Sequence, residues 1–282
     1  MISAKATKLI IYLTLIFAVL FYLKKPVSPP NQFYLQSFFN NKNQYQQSFQ
    51  KYQNSPKNTV TAGIISHHFL ALDLISQFFS GINPSGIKNV YLVGPDHFYI
   101  TTAPITTTSY PWHTPFGNLS ANTANIKKLT QDLQVESNYL AFTNEHSIYT
   151  LIPFVKYFFP NASVTPLVLN TSKDLSYFYN FGKNLNPKNS ILIISSDFSH
   201  QSTPTQANQN DQASIEAISA QNIDKIGDIT CDCRQCIALL YGYLQNKPST
   251  FDFIANTTSQ NYGETVLTNL TSYLSAYFTP NL

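Results

Sequence analysis

The chain has 282 residues, of which 43% are hydrophobic and 11% are charged, and its formal net charge is +3. This apolar content can build one large domain or two small ones. A nucleic-acid-binding protein needs a concentrated basic face, and beyond the Lys24-Lys25 pair the lysines and arginines form no cluster. The composition therefore excludes nucleic acid as an expected partner.

The N-terminal region contains a stretch without charged residues, Leu9–Leu23, with lysines on both sides. Its fifteen residues are fewer than the about twenty that usually span a bilayer, but flanking lysines can extend a span by snorkelling. The segment that follows lacks the small residues of a signal-peptide cleavage site, which favours an uncleaved anchor over a signal peptide. We therefore predict that residues 1–25 are a single-pass membrane anchor or signal-like segment, with the remaining chain outside the cytoplasm.

Residues 26–58 have the composition of a spacer between this segment and the folded domain. Pro26, Pro29 and Pro30 precede a tract rich in asparagine and glutamine, a composition typical of linkers. One short helix is expected within it, around residues 33–50. We place the folded domain at residues 59–282.

Strands alternate with helices through this domain. Apolar runs typical of buried strands cover residues 60–66, 89–94, 163–170 and 190–196. Segments with helical spacing cover residues 69–81, 122–134, 147–159, 175–184, 211–221 and 236–245. This alternation predicts an α/β domain with a mainly parallel central sheet flanked by helices. In such sheets, ligands bind beyond the carboxyl ends of the strands.

Ionisable side chains follow three of the four predicted strands directly. They are His67-His68 after the first, Asp96-His97 after the second, and Asp197 with His200 after the fourth. One histidine after a strand is usually a capping or surface residue, but several at equivalent ends of one sheet converge on one crevice. The two remaining histidines also have polar neighbours, as in the Glu145-His146 pair.

A metal ion is the chemistry that this pattern favours, because imidazole is a common ligand for zinc, iron and copper. His68 and His97 follow neighbouring predicted strands and can meet at one ion. A carboxylate as third ligand would complete the set found in non-haem iron oxygenases. His200 can act as a general acid or base, with Asp197 orienting it. Alternatively, Asp197 caps the segment that follows it.

Three cysteines, Cys231, Cys233 and Cys236, lie just before a predicted helix. The spacing C-x-C-x-x-C lacks the second pair that a zinc ribbon requires. A helix N-terminus lowers the pKa of a thiol, so one cysteine can serve as a thiolate ligand. In an oxidising compartment, Cys233 and Cys236 would instead form a disulfide and leave the third cysteine unpaired.

Several of these stretches together resemble the Memo family, including its members called AmmeMemoRadiSam system protein B. The matching pieces occur in the family's order between about residues 60 and 280: GIISHH, YLVGPDH, PWHTPFGNL, NEHSIYTLIPFVKYFFP, ISSDFSH, CRQCIALLYGYL and SYLSAYF. Each piece alone is a weak signal, whereas the ordered set is specific. The resemblance implies a fold related to the class III extradiol dioxygenases, with a metal site at one end of the sheet.

The resemblance also implies roles for individual residues. His68 and His97 match the two metal-binding histidines of the family, and His200 matches its acid/base histidine. Glu145 and His146 match a Glu-His pair that lies near the same pocket. Asp232 stands where the family has a cysteine ligand, so either Asp232 or a neighbouring cysteine is the expected third ligand.

The function implied is that of a Memo-like protein with one mononuclear transition metal. Iron is the expected metal, with copper or zinc as alternatives, and the expected activity is redox chemistry on a small molecule. Two alternatives stay open: a non-catalytic module that binds a peptide or protein in the same crevice, and a ring-cleaving dioxygenase. Whether the protein is an enzyme is therefore left undecided. A radical SAM partner is implied by the family resemblance alone.

Overall fold

A nine-stranded mixed sheet forms the centre of the molecule in the computed structural model, which describes residues 33–281. The strands of the described chain are β1 (Leu35–Gln36), β2 (Ala62–Ile65), β3 (Asn89–Pro95), β4 (Ile105–Thr107), β5 (Trp112–Thr114), β6 (Gly117–Leu119), β7 (Glu136–Ser137), β8 (Ser163–Leu169), β9 (Ser190–Ser195), β10 (Phe198–Ser202), β11 (Ser249–Thr258) and β12 (Leu270–Pro280). The large sheet has the order β10-β12-β2-β9-β3-β8-β4-β7, and β11 pairs with β12. A small sheet has the order β1-β5-β6.

Helices cover both faces of the large sheet. They are α1 (Lys42–Lys51), α2 (Leu72–Ser80), α3 (Thr123–Asp132), α4 (His146–Tyr149), α5 (Ile152–Phe158), α6 (Leu175–Lys183), α7 (Pro204–Ser219) and α8 (Arg234–Leu244). Short 3-10 helices lie at Phe69–Ala71, Tyr139–Phe142, Ile223–Asp228 and Ser259–Tyr262. The prediction of an α/β domain is confirmed.

The four central strands, β2, β9, β3 and β8, run parallel to one another. The pairs β12–β2, β10–β12, β11–β12 and β4–β8 are antiparallel, so the sheet is mixed rather than purely parallel. Strand β9 shows why its sequence is almost wholly apolar. Ile191 and Ile193 pack into the core on one face, while Leu192 and Ile194 pack into the core on the other. A strand covered on both faces needs apolar residues at every position.

Residues 34–58, which the sequence places in the linker, pack against the rest of the molecule in one compact unit that begins at Tyr34. Strand β1 pairs with β5. Tyr45 and Phe49 on α1 are four residues apart, share one helix face, and are buried in the core. The ion pair between Lys51 and Asp73 joins α1 to α2 at 2.5 Å. Aromatic residues within a polar tract thus attach this segment to the domain.

The predicted transmembrane helix requires a correction. Between residues 33 and 281, no helix has the length and apolar character needed to cross a membrane. A span needs about twenty apolar residues, whereas the sixteen-residue helix α7 is largely polar. The stretch Leu9–Leu23, which prompted the prediction, lies outside the described residues. The membrane anchor, the membrane as partner and the extracytoplasmic location are therefore withdrawn.

Candidate metal centre

The candidate centre lies at the carboxyl edge of the parallel strands. Strand β2 is followed by His67, β3 by His97 and β9 by Asp197. Parallel strands bring their carboxyl ends to the same edge of a sheet, so these three side chains meet there. His146 at the start of α4 and Asp232 just before α8 complete the group. We call His67, His97, His146, Asp197 and Asp232 the edge cluster.

The three histidines of the edge cluster face one another. Each contributes one ring nitrogen to a group in which the ligand atoms all lie within 4.8 Å of one another. The rings of His97 and His146 are stacked, with centroids 4.1 Å apart, and the ring of His67 meets both edge-on. His67 is 3% exposed and therefore nearly closed to solvent.

Two carboxylates face the same histidines. Nε2 of His67 lies 3.4 Å from Oδ2 of Asp232 and 3.7 Å from Oδ2 of Asp197. Nε2 of His97 lies 3.7 Å from the same Asp232 oxygen. His67, Asp197 and Asp232 form a second group with ligand atoms within 4.8 Å of one another. These separations leave the donor atoms arranged around a shared space.

Ser195 fixes the tautomer of His67. The Ser195 hydroxyl donates its one hydrogen to the carbonyl oxygen of Ser147. It therefore accepts a hydrogen bond from Nδ1–H of His67, at 3.0 Å. Nδ1 carries the ring proton of the neutral imidazole, and Nε2 keeps its lone pair. The nitrogen that faces Asp232 and Asp197 is thus the one free to bind a metal.

Glu145 orients the ring of His97 through a hydrogen bond from its Nδ1–H. Its side chain is completely buried and accepts Nδ1–H of His97 at 2.7 Å and the backbone N–H of His97 at 2.8 Å. It also accepts the backbone N–H of Ser147 at 2.9 Å, as the N-cap of α4. A carboxylate behind a ligating histidine is the usual way that proteins orient such a ligand.

The protonation states of the histidines differ because their surroundings differ. Burial lowers the pKa of His67 to about 3. Burial, together with the charge of His97, also lowers the pKa of His146. Burial acts in the same direction on His97, but the nearby carboxylates of Asp232 and Glu145 outweigh it and raise its pKa to about 10. Two of the three rings are therefore neutral at pH 7, and a cation would exchange with the proton on the third.

Hydrogen bonds from serine hydroxyls and backbone N–H groups hold the carboxylates of the edge cluster in place. Asp197 accepts the hydroxyl of Ser66 and the backbone N–H of His67. Asp232 accepts the hydroxyl of Ser196 at 2.7 Å and the backbone N–H of Asp197 at 3.2 Å. Burial raises the pKa of Asp197. The loops after β2 and β9 and the residue before α8 therefore form one hydrogen-bonded unit.

These residues fit a transition-metal ion. Imidazole nitrogens and carboxylate oxygens are ligands that iron, zinc and copper accept. An unprotonated Nε2 of His67 only 3.4 Å from a carboxylate oxygen brings two electron-rich atoms together, and burial makes such an arrangement costly without a cation. The edge cluster therefore has a donor set suited to a transition-metal ion.

Two predicted site residues lie apart from the edge cluster. His68, rather than His67, was expected as the ligand, but the chain turns there. His68 is the N-cap residue of the 3-10 helix Phe69–Ala71, and its Nδ1 is hydrogen-bonded to the hydroxyl of Tyr273 on the neighbouring strand β12. His200 is exposed on β10, with Nδ1 3.4 Å from Oγ1 of Thr271. The carboxylate of Asp197 accepts the backbone N–H of His67 and lies 3.7 Å from its Nε2.

Of the two alternatives that the sequence left open, a thiolate ligand or a disulfide, the structure has the disulfide. Cys233 and Cys236 form a disulfide, and Cys231 is a free thiol. Burial raises the pKa of Cys231 to about 12, which disfavours its thiolate form. Asp232 is the residue of this stretch whose side chain lies in the edge cluster. The predicted carboxylate, in place of the cysteine of the family pattern, is thus the group that the fold brings to the histidines.

Sequence reasoning missed His67 as a ligand candidate and assigned His146 only to the pocket. The structure, rather than the local sequence, separates His67 from His68. The buried run of residues 60–67 ends at His67, and His68 is the first exposed residue after it. A histidine that ends a buried run stays inside the sheet edge, whereas the next residue leads into the turn. Ser195 and Ser66 were missed because their roles depend on contacts 128 and 131 residues away in the chain.

Comparison with known proteins agrees with the resemblance seen in the motifs. The family model described as Memo-like protein matches residues 31–276. A MEMO1 family protein of Pyrobaculum aerophilum is 27% identical over 147 residues, covering 50% of this chain and 52% of that protein. A MEMO1 family protein of Caldivirga maquilingensis is 30% identical over 153 residues, covering 51% and 52%. The chain thus spans about half the length of these curated relatives.

Two further similarities extend over more of the chain. A MEMO1 family protein of Thermoplasma acidophilum is 22% identical over 218 residues, covering 71% of this chain and 79% of that protein. Among solved structures, an uncharacterized protein from Escherichia coli K12 aligns with a TM-score of 0.48 and 12% identity, covering 75% of this chain and 98% of that one.

Proposed function

Because this chain belongs to the Memo-like protein family, we propose that it is a metal-binding protein with one mononuclear transition metal, used for redox chemistry on a small molecule. His67, His97 and Asp232 would hold the ion, with His146 and Asp197 available beside them. The observation that carries the proposal is the unprotonated Nε2 of His67, 3.4 Å from an Asp232 oxygen that also faces Nε2 of His97. A cation held by these residues would satisfy all three side chains.

The chain's own residues would prepare this site before any ion binds. Ser195 holds Nδ1 of His67, and Glu145 holds Nδ1 of His97, so both rings present Nε2 to Asp232. Fixed ring orientation lowers the entropic cost of coordination and raises ligand basicity. Ser66 and Ser196 hold the two aspartates. An ion bound here would supply Lewis acidity and, if redox-active, one-electron chemistry.

Iron is the metal that we propose, with copper and zinc as alternatives to be separated by measurement. Two imidazoles and a carboxylate form the ligand set of non-haem iron oxygenases, which leaves coordination positions for other molecules. The disulfide removes Cys233 and Cys236 as thiolates, and soft thiolate ligands would have favoured zinc or copper(I). A carboxylate ligand from Asp232 therefore favours a harder metal ion than a thiolate ligand would.

Metal analysis of the full chain purified without oxygen tests the proposal, together with the variants His97→Ala and His113→Ala. His113 is an exposed histidine whose Nδ1 contacts Asn118, so its variant controls for the loss of a histidine as such. We expect close to one iron per chain in the parent and in His113→Ala, and loss of the metal in His97→Ala. Absence of metal from the folded parent would refute the proposal and favour a non-catalytic binding module.

A further inference from the structure

A cavity of about 590 Å³ opens beside the edge cluster. His67 and His146 line one side of it. Much of the remaining wall is apolar or aromatic and comes from Phe39, Phe69, Leu70, Leu72, Tyr149 and Tyr262. The volume falls in the range of about 300–1,000 Å³ that is typical of small-molecule sites. The cavity is thus continuous with the candidate ligands and large enough for a molecule of moderate size.

Aromatic rings make up much of the apolar wall. The rings of Phe39 and Phe69 are stacked, with centroids 3.9 Å apart and planes only 4° from parallel. Tyr149 lies between this stack and the edge cluster, 5.9 Å from the ring of Phe39 and 6.5 Å from that of His146. Aromatic walls favour ring-shaped occupants through apolar burial and ring–ring contacts.

The segment before β2 supplies part of this wall. Phe39 and Gln44 line the cavity, and both belong to the stretch whose place is fixed by the β1–β5 pairing and by the buried Tyr45 of α1. Tyr45 also contacts Phe69 edge-on, with centroids 5.4 Å apart. The position of the aromatic wall is therefore set by buried contacts rather than by the occupant.

His68 gives the cavity a polar group outside the edge cluster. Its ring lines the cavity while Nδ1 is held by the hydroxyl of Tyr273. Within residues 33–281, the other ring nitrogen, Nε2, has no hydrogen-bond partner. The lining thus combines three histidines with a larger group of aromatic and aliphatic side chains, and its other polar members are Gln44, Asp73 and Thr150.

We infer that this cavity binds a small amphipathic molecule with an apolar, ring-sized body and an oxygen-rich head that binds metal. The body lies against Phe39, Phe69 and Tyr149, and the head points to His67 and His146. This inference rests on the proposed function, since the head requires an ion at the edge cluster. It adds the class of ligand, which neither the motifs nor the histidines define.

Two probes with one head test the inference on the metal-loaded full chain. Benzohydroxamate and acetohydroxamate carry the same metal-binding hydroxamate, but the first has a phenyl ring where the second has a methyl group. Burial of the ring in an apolar cavity should favour benzohydroxamate by about tenfold or more, as judged from the apolar area that it removes from water. Equal dissociation constants for the two probes would overturn the inference.

Matched tyrosine variants locate the effect. Tyr149 lines the cavity, whereas Tyr157 packs against Phe49 and Phe116 and does not line it. We expect Tyr149→Ala to reduce the preference for benzohydroxamate at least fivefold, with the affinity for acetohydroxamate unchanged. Tyr157→Ala should leave both affinities unchanged. A preference that survives Tyr149→Ala intact would place the ring elsewhere and contradict the inference.

A leucine pair keeps the test decisive if Tyr149→Ala fails to fold. Leu70 lines the cavity and is 41% exposed, and Leu140 is 51% exposed and lies outside it. Leu70→Asn should weaken the binding of benzohydroxamate severalfold, and Leu140→Asn should leave it unchanged. Metal content, measured first on every sample, separates the two proposals. If the folded chain holds no metal, both the proposed function and this inference are refuted. If the chain holds metal but binds the two probes with equal affinity, this inference alone is refuted.

Discussion

Asp211 and Asp232 are two aspartates in the same molecule with opposite surroundings. Asp211 is 3% exposed, and its carboxylate accepts hydrogen bonds from Ser199, Ser272 and Asn256 at 2.9, 2.6 and 2.9 Å. Each of these partners is an uncharged donor. The network joins β10, β12 and β11 to α7, and its oxygens are satisfied within the protein.

Asp232 differs in what else its carboxylate meets. Oδ1 accepts the hydroxyl of Ser196 and Oδ2 accepts the backbone N–H of Asp197, but Oδ2 also faces Nε2 of both His67 and His97. Because Ser195 fixes the proton of His67 on Nδ1, one of these nitrogens offers a lone pair and no hydrogen. Burial alone therefore does not identify a ligand. The deciding feature is whether the neighbouring atoms present hydrogens or lone pairs to the carboxylate. Asp211 is structural, and Asp232 is a candidate ligand.

The largest effect expected from this comparison is on metal content. Asp232→Asn removes an anionic ligand and should lower metal affinity by more than the about 10- to 100-fold that outer-shell changes cost. Asp211→Asn should keep the metal and lower the free energy of unfolding by about 1–3 kcal/mol, because an amide nitrogen then meets hydrogen-bond donors. Metal titration and urea unfolding measure the two effects. Similar metal affinities for the two variants would contradict the assignment of Asp232 as a ligand and Asp211 as a structural residue.

Glu145 is expected to rank second. Glu145→Gln replaces an acceptor of three N–H groups by a side chain with one donor end, so the ring of His97 loses its fixed orientation. We expect a loss of about 10- to 100-fold in metal affinity. Glu136→Gln is the control, since Glu136 accepts from Asn138 away from the edge cluster. An unchanged affinity in Glu145→Gln would show that His97 needs no partner.

Ser195→Ala tests the tautomer of His67. The variant removes the acceptor of Nδ1–H, so the proton of His67 can move to Nε2 and oppose a cation. We expect a loss of about tenfold in metal affinity, at the lower end of outer-shell effects. Ser80→Ala removes another buried hydroxyl, which donates to the carbonyl of Gln77 on α2, and should leave metal binding unchanged. Equal affinities in the two variants would contradict the assigned tautomer.

The smallest effect is expected at Asp73, a partly exposed aspartate with a cationic partner. Burial favours a higher pKa, but hydrogen bonds from Lys51 and Ser48 outweigh it and lower the pKa of Asp73 below its usual 3.8. A lowered pKa in the folded state stabilises the protein above the unfolded-state value, and this stability is lost as the pH falls through the folded-state value. Thermal melts of Asp73→Asn and the parent should therefore differ at pH 7 and converge at acidic pH. A difference that grows on acidification would contradict this sign.

The sequence was sufficient to predict the central part of the fold. Strands such as β9 are apolar at every position because both faces are covered, and helices such as α3 begin at a recognisable cap, Asn122. The antiparallel pair β11 and β12 was harder to predict, since many residues of β11 remain partly exposed and weaken the apolar signal. The small β1-β5-β6 sheet depends on two- and three-residue strands that leave almost no pattern.

The candidate site was predictable in place but not in every member. His97 and Asp197 follow buried strands, so strand ends alone indicated the edge at which they meet. The choice between His67 and His68 could not be made that way. It depends on Tyr273 and Ser195, which lie 205 and 128 residues away in the chain. Local spacing carries no record of such partners, and only the packed sheet decides which ring turns inward.

The adjacent histidines provide the most direct test of the central claim. Metal content and dissociation constants would be measured for the full chain and for His67→Ala and His68→Ala, with circular dichroism to verify folding. We predict that His67→Ala loses the metal, whereas His68→Ala retains close to one ion per chain. The reverse result, with metal lost only in folded His68→Ala, would contradict the assignment of His67 and the edge cluster built on it.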